Sequence, residues 1–317
     1  MGQHAASAPD AGNAPATGAG GAAGIVVRTA GPADAAALRE IAAAALTLDA
    51  PEAPELVASL SSPPAGRRWT ALVTADLGGV VFASVSQRDP SVGHIDLLAV
   101  RPEARDAGRG RALVAAAEDW LRAEGAAEAR FAGNPPCYAW PGIDVRYTAA
   151  AALAESLGYE RHDVAWNMTA SLGADTDLST DADVARLAEA GVTVHAAGPG
   201  DRAGLDTVLA FIREHWNDNW AWEAEHAGGC HYAARGSEIL GFAAWGARPA
   251  WFGPMGTAPA ARGLGVGRVL LRRCLADQRA AGQENAEIGW VGPLRFYSRA
   301  AGARAERVFW LYRRALR

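Results

Sequence analysis

Two short stretches of this chain carry glycine and arginine at a spacing suited to holding a phosphate. Arg101 to Gly110 reads RPEARDAGRG, and Ala258 to Gly267, which begins 157 positions later, reads APAARGLGVG. Pro102, Ala104, Arg105, Gly108 and Gly110 of the first coincide with Pro259, Ala261, Arg262, Gly265 and Gly267 of the second. A loop that leaves backbone N–H groups unpaired at the start of a helix forms a concave donor site, to which the helix dipole adds partial positive charge. Such a site favours a phosphate. Glycine is required because a diphosphate resting on the backbone leaves no room for a Cβ, and because some of these positions need positive φ. Gly108 and Gly110, with Gly265 and Gly267, fill that role, while Arg105, Arg109, Arg111, Arg262 and Arg268 add charged hydrogen bonds to phosphate oxygens. Neither loop ends in the Gly-Lys-Ser/Thr of a nucleoside triphosphate site. Neither has the third glycine and downstream ribose-binding acid of a dinucleotide fingerprint. A phosphate-bearing cofactor of another kind is implied.

The flanks of the loops agree as well. Each follows an apolar strand, HIDLLAV at His94 to Val100 and WFGPMGT at Trp251 to Thr257, and each precedes a helical stripe. Leu113, Ala117, Trp120 and Leu121 form the first stripe; Leu270, Leu271, Cys274 and Leu275 form the second. Gly125 and Gly282 end these helices at comparable distances. Before the first loop the spacing predicts strands at 25–29, 69–74, 80–87 and 94–100, with a helix over 33–48 and a shorter one after Pro54. After it come a strand at 129–132, a helix at 149–157 and a strand at 159–168. The second half repeats the order: a strand at 192–195, helices between 201 and 225, strands at 229–234, 239–245 and 251–257, the loop helix, a strand at 286–290, a helix at 295–301 and a strand at 306–313. This alternation is too irregular for a doubly wound sheet. It predicts an α+β (mixed α/β) chain of two tandem domains, each a mixed, mostly antiparallel sheet flanked by helices. The predicted boundaries are a disordered leader at 1–24, a first domain at 25–170, an Asp/Thr/Ser-rich linker at 171–183 and a second domain at 184–317.

Composition narrows the function classes. A chain of 317 residues that is 50% hydrophobic can bury two cores. Its formal net charge of -5 argues against nucleic acid or anionic lipid as the main partner, since all 30 basic residues are arginine and no global positive field exists. The four arginines between Arg101 and Arg111 surround a glycine loop and lack interleaved aromatic platforms, so a phosphate cofactor accounts for them better than a nucleic acid does. Cys137, Cys230 and Cys274 lack the paired spacing of a metal site or disulfide framework, so no metal is expected and a cytoplasmic location is. No stretch approaches the roughly 20 apolar residues of a spanning helix.

With these motifs, LLAVRPEARDAGRGRAL and PMGTAPAARGLGVGRVLL, the chain resembles the GNAT acetyltransferases, over about 25–170 and 192–317. The tandem arrangement is similar to that of mycothiol synthase and related actinobacterial acetyltransferases, where the carboxyl half carries the chemistry. The resemblance implies acetyl-CoA as cofactor. Its diphosphate would lie on the amides of Arg105, Asp106, Ala107, Gly108, Arg109, Gly110 and Arg111 in one half, and of Arg262, Gly263, Leu264, Gly265, Val266, Gly267 and Arg268 in the other. Leu98, Ala99 and Val100, and Met255, Gly256 and Thr257, would offer backbone groups to the pantetheine arm. Asn134 matches a position that often touches CoA. FYSRAAGA at Phe296 to Ala303 matches the family's aromatic pair and makes Tyr297 the expected general acid for the departing thiolate. The first half has no tyrosine nearer its Gly158 than Tyr147, which implies a cofactor site lacking that acid.

Transfer to an amine also needs a base, for which His215, Glu214 and Glu223 are candidates in the segment expected to cap the second site. Trp216, Trp220, Trp222, Trp245, Trp251 and Trp290 form either an acceptor pocket suited to a cation or ordinary core. Tyr138, Trp140 and Asp144 are substrate candidates in the first half. Asp96, on a buried strand, needs a partner or a cleft. The expected activity is acetyl transfer from acetyl-CoA to a small-molecule amine in the second half. A non-catalytic acyl-CoA-binding protein and a protein or peptide N-acetyltransferase are the alternatives, and oligomeric state is open.

Overall fold

The computed structural model describes residues 24–198 and 200–317, so the leader expected at 1–24 lies outside the described residues except for Gly24. The first half runs through β1 (Val27–Thr29), α1 (Ala35–Ala45), α2 (Ala53–Leu60), β2 (Trp69–Thr74), β3 (Gly79–Val85), β4 (Val92–Val100), α3 (Arg109–Ala123) and β5 (Glu128–Phe131). A two-residue β6 (Ile143–Asp144), α4 (Thr148–Ser156) and β7 (Glu160–Ser171) complete it. The second half comprises α5 (Asp181–Glu189), β8 (Thr193–Ala197), α6 (Arg202–His215), α7 (Asp218–Glu225), β9 (Gly229–Arg235), β10 (Glu238–Trp245), β11 (Trp251–Thr257), α8 (Val266–Ala280), β12 (Asn285–Ile288), α9 (Leu294–Ala301) and β13 (Arg304–Ala315). Helix α5 and the two-residue β6 are elements that periodicity misses. The same Asp and Thr residues that read as a linker also suit a helix start, with Asp181 and Asp183 in the first turn and Leu187 buried against the core.

Period-two alternation builds two layers of helix on one sheet. In β3, Val81, Ala83 and Val85 face α3, whereas Val80 and Phe82 face α1 and α2. The second half repeats this, with Phe242 and Ala244 of β10 toward α6 and α7 while Leu240 packs against α8. The strand order is β1-β2-β3-β4-β5-β13-β7-β12-β11-β10-β9-β8, which reads the same from either end once the halves are exchanged. The pseudo-twofold relation passes between β7 and β13. Each half thus receives, beside its fifth strand, the last strand of the other: β13 pairs with β5, and β7 pairs with β12. The cores follow the strands. Tyr312 of β13 is fully buried against α3 and α4, and Ala170 of β7 sits among the residues of α8.

A buried ionic cluster ties this seam. Arg307 of β13, only 9% exposed, reaches Asp49 at 2.9 Å, Asp144 at 2.9 Å and Glu287 at 3.4 Å. Asn167 of β7 links Glu287 to the backbone N–H of Trp290. Removing the cation leaves these carboxylates facing one another in a low-dielectric interior. Arg307→Met is therefore expected to lower unfolding stability by about 3–5 kcal/mol. Urea midpoints of the two proteins at pH 7 check this.

Candidate active site

Both loops end in the geometry that their glycines anticipate. Gly108 and Gly265 are the N-caps of α3 and α8, at φ +81° and +90°, in the left-handed region that favours glycine. The first helical bonds run from Ala112 to the Gly108 carbonyl and from Val269 to the Gly265 carbonyl. The amides of residues 108–111 and 265–268 therefore have no acceptor among the described residues. These are the donors a diphosphate needs.

The strand ahead of each loop separates from its neighbour. Strand β4 pairs in parallel with β5 only at Val92, Gly93 and His94, and β11 with β12 only at Trp251 and Phe252. Beyond these residues the strands diverge, because Asp96 is an extra residue in the β3–β4 register and the β10–β11 register shifts between Ala243 and Trp245. A cavity opens in each wedge, of about 630 Å³ in the first half and about 1020 Å³ in the second.

Leu98, Ala99 and Val100, with Arg105, Asp106, Gly108, Arg109, Gly110 and Arg111, line the first cavity. Met255, Gly256 and Thr257, with Arg262, Gly263, Gly265, Val266, Gly267, Arg268 and Tyr297, line the second. Ala107 and Leu264 line neither. Leu264 packs against the core and its carbonyl accepts from Arg186. Asn134 also stands apart from both, since the chain turns after β5 and carries its amide inward, where it donates to Ser84 Oγ at 2.8 Å. The arginine side chains are more committed than their spacing suggests. Arg105 bonds the carbonyls of Val100 and Ala45, Arg109 pairs with Asp76, Arg111 donates to Ser156, and Arg268 is held by Asp183. The free donors are therefore chiefly backbone amides, with Arg262 as the unengaged guanidinium of the second loop among the described residues.

In the second cavity Tyr297 lies edge-on to Phe252 and Phe296, and its hydroxyl has no hydrogen-bond partner among the described residues. Burial pushes its pKa well above the usual phenol range, so at neutral pH it carries a proton to give. Of the three candidate bases only Glu223 lines the cavity; Glu214 and His215 are exposed on the far side of α6. The Glu223 carboxyl has no ion pair among the described residues, and burial pushes its pKa up to about 8. Trp220, Trp251 and Trp290 line the same space, whereas Trp216 stacks behind Trp220 and Trp222 packs on the core of the first half. Trp245 also stays outside it.

The first cavity is equipped differently. Trp140 and Asp144 line it, as does Asp96, whose Oδ1 is buried without a partner and whose pKa burial raises to about 7. Its tyrosine is engaged: Tyr147 donates to Asp49 at 2.8 Å and accepts from the Leu48 amide. Tyr138, by contrast, lines the second cavity, carried across the seam by the loop after β5. No local pattern signals this, because the contact joins residues more than a hundred positions apart.

No group of His, Cys, Asp and Glu able to hold a metal occurs among the described residues, and no described helix is long and apolar enough to cross a membrane. No curated protein matches the chain in sequence. Its architecture is similar to the glucosamine N-acetyltransferase region of a fungal multi-domain β-N-acetylglucosaminidase, with a TM-score of 0.73 at 17% identity over 93% of this chain; the match spans 38% of that longer chain. It is also similar to a tandem GNAT protein from the clavulanic acid biosynthesis pathway, with a TM-score of 0.69 at 17% identity, covering 93% of this chain and 99% of the other. A GCN5-related N-acetyltransferase from Sphaerobacter thermophilus follows at 0.61 and 22% identity, covering 92% and 96%. The acetyltransferase (GNAT) family matches residues 36–139 and again 205–302, each span containing one glycine loop. With the family matched over most of the sequence, and with two wedges that each open on unpaired helix-start amides, the chain belongs to the GNAT acetyltransferases as a tandem acyltransferase.

Proposed function

We propose that the protein moves an acetyl group from acetyl-CoA to the amine of a small molecule, and that the second cavity carries the chemistry. One observation carries this reading: a protonated Tyr297 hydroxyl, an unpaired Glu223 carboxyl and the amides of 265–268 all face a single cavity. The residues fit acetyl-CoA. Gly265 to Arg268 would hold the diphosphate, Met255 to Thr257 would offer strand groups to the pantetheine arm, and the bound thioester supplies the acyl carbon. Glu223 then takes a proton from the incoming ammonium, and Tyr297 gives one to the departing sulfur. In the first cavity Leu98 to Val100 and the amides of 108–111 would hold a second cofactor, with no free phenol beside it. Halves bounded near 25–170 and 181–317, the second starting earlier than expected because α5 packs on its core, and joined by the strand exchange, are the proposed domains, and three buried free cysteines agree with a cytoplasmic setting.

Tyr297→Phe tests the acid. A thiolate, with an ordinary pKa of about 8.5, is a tolerable leaving group, so the expected loss in kcat is about 10- to 100-fold, smaller than for a poorer leaving group. Thiol release measured from pH 6 to 10 checks it. An unchanged kcat at every pH would remove Tyr297 from the reaction.

A further inference from the structure

The acceptor end of the second cavity is not built by the second half alone. Tyr138, from the loop after β5, lies edge-on to Trp290 at 5.5 Å and to Trp251 at 6.4 Å between ring centroids. That loop is clamped from both sides. Arg67, 7% exposed, donates to the carbonyls of Asn134, Pro135 and Cys137 at 2.6–2.8 Å, and Arg248 of the second half donates to Ala139 at 2.9 Å. Arg248 also spreads over the outer face of Trp251, with its guanidinium carbon 4.0 Å from the ring centroid. Trp290 takes φ +43°, an unusual conformation for a bulky residue, and its amide is anchored on Asn167. The wall is thus preorganised rather than swept into place by a ligand.

Its chemistry is selective. The three rings present apolar faces, and Glu223 is the sole carboxylate among the residues lining the cavity. The basic side chains on that lining, Arg262 and Arg268, stand at the loop end. An anionic acceptor would keep Glu223 protonated and find no cation among the residues lining this end. A polyhydroxylated one would lose water with few side chains to replace it. An ammonium would draw Glu223 into its ionised form and so find both a counter-charge and ring faces.

From this, and resting on the proposed acetyl transfer, we infer that the second cavity takes a primary amine carried on an aromatic body, the ring lying against Tyr138, Trp251 and Trp290 and the amine at Glu223. Tyr138 is then a specificity-determining residue donated by the other half. In the reaction the amine nitrogen bonds to the acetyl carbon and the carbon–sulfur bond breaks. Of the ammonium's protons one passes to Glu223 and a second leaves as the amide forms, while the thiolate receives a proton from Tyr297, which solvent restores.

The test compares 2-phenylethylamine, glucosamine and spermidine as acceptors, with thiol release as readout and calorimetry of amine binding to the CoA-loaded protein alongside. The expected kcat/KM for 2-phenylethylamine exceeds the other two by about tenfold or more, a difference of about 1.4 kcal/mol. Tyr138→Ala should raise its KM by a similar factor and weaken its calorimetric affinity, with acetyl-CoA binding unchanged and with Tyr138→Phe retaining the preference. Faster transfer to glucosamine or spermidine overturns this inference and leaves the acetyl-transfer reading intact. An equal loss with all three amines in a folded Tyr138→Ala protein overturns the role of Tyr138. Thiol release with none of them, despite acetyl-CoA binding, removes the reading itself and the inference with it.

Discussion

Gly265→Val is expected to lower kcat/KM for acetyl-CoA by at least about a hundredfold, the penalty associated with displacing a reacting group by about 1 Å. Two effects combine. At φ +90° a β-branched residue is strained, and its Cβ would meet the Arg186 guanidinium at 2.7 Å. The flexible Arg186 can retreat, but the strain at this positive φ shifts the amides at 265–268 that would hold the diphosphate. Gly108→Val places the same change on the first loop, at φ +81° and with Ile25 3.5 Å away. Calorimetry should show each variant losing one of two acetyl-CoA binding events, while turnover collapses only for Gly265→Val. Normal turnover in that variant, or arrested turnover in Gly108→Val, would move the chemistry to the first cavity, where Asp96 waits with its own unpaired oxygen.

What could be read from the residues was local. The glycine loops, the stripes of α3 and α8, and the strands before them are each set by spacing within about fifteen residues, and all lie where periodicity put them. The exchange of β7 and β13 is not local. Both strands have the alternation of any central strand, and nothing in RAERVFWLYRRA states that its partner is β5 of the other half. The same holds for the site. The position of Tyr297 on the cavity wall is legible because the residue sits in a motif, whereas Glu223 looks no different from Glu214 in sequence; only the fold turns one toward the cavity and leaves the other in solvent. Tyr138 was legible only as an aromatic in a loop, since its destination depends on a seam formed by segments far apart in sequence. Asn134 shows the converse: a position matched by motif whose side chain the turn redirects inward.

Glu223→Gln carries the other large effect, because the amine must lose a proton at pH values where nearly all of it is an ammonium. The amide keeps the shape and cannot accept that proton, so kcat/KM at pH 8 is expected to fall by about 10²- to 10⁴-fold. The pH profile separates this from mere distortion. In the wild-type protein the rate should rise as pH passes through about 8, where Glu223 becomes ionised. In the variant that limb should vanish, leaving a rate that grows only with the free-amine fraction. Stability should move the opposite way. The folded-state pKa of Glu223 is raised from 4.5 to about 8, so between those values the native state holds more protons than the unfolded chain. Stability from this group is accordingly full below about pH 4.5 and is lost as pH rises through 8. Glutamine has no such dependence, and the variant should melt above the wild type at pH 9 while melting with it at pH 5. A variant slower in transfer yet more stable at high pH identifies Glu223 as a carboxylate held in an unfavourable place for the sake of its proton. One equally slow and less stable at both pH values would instead make it a packing residue of α7.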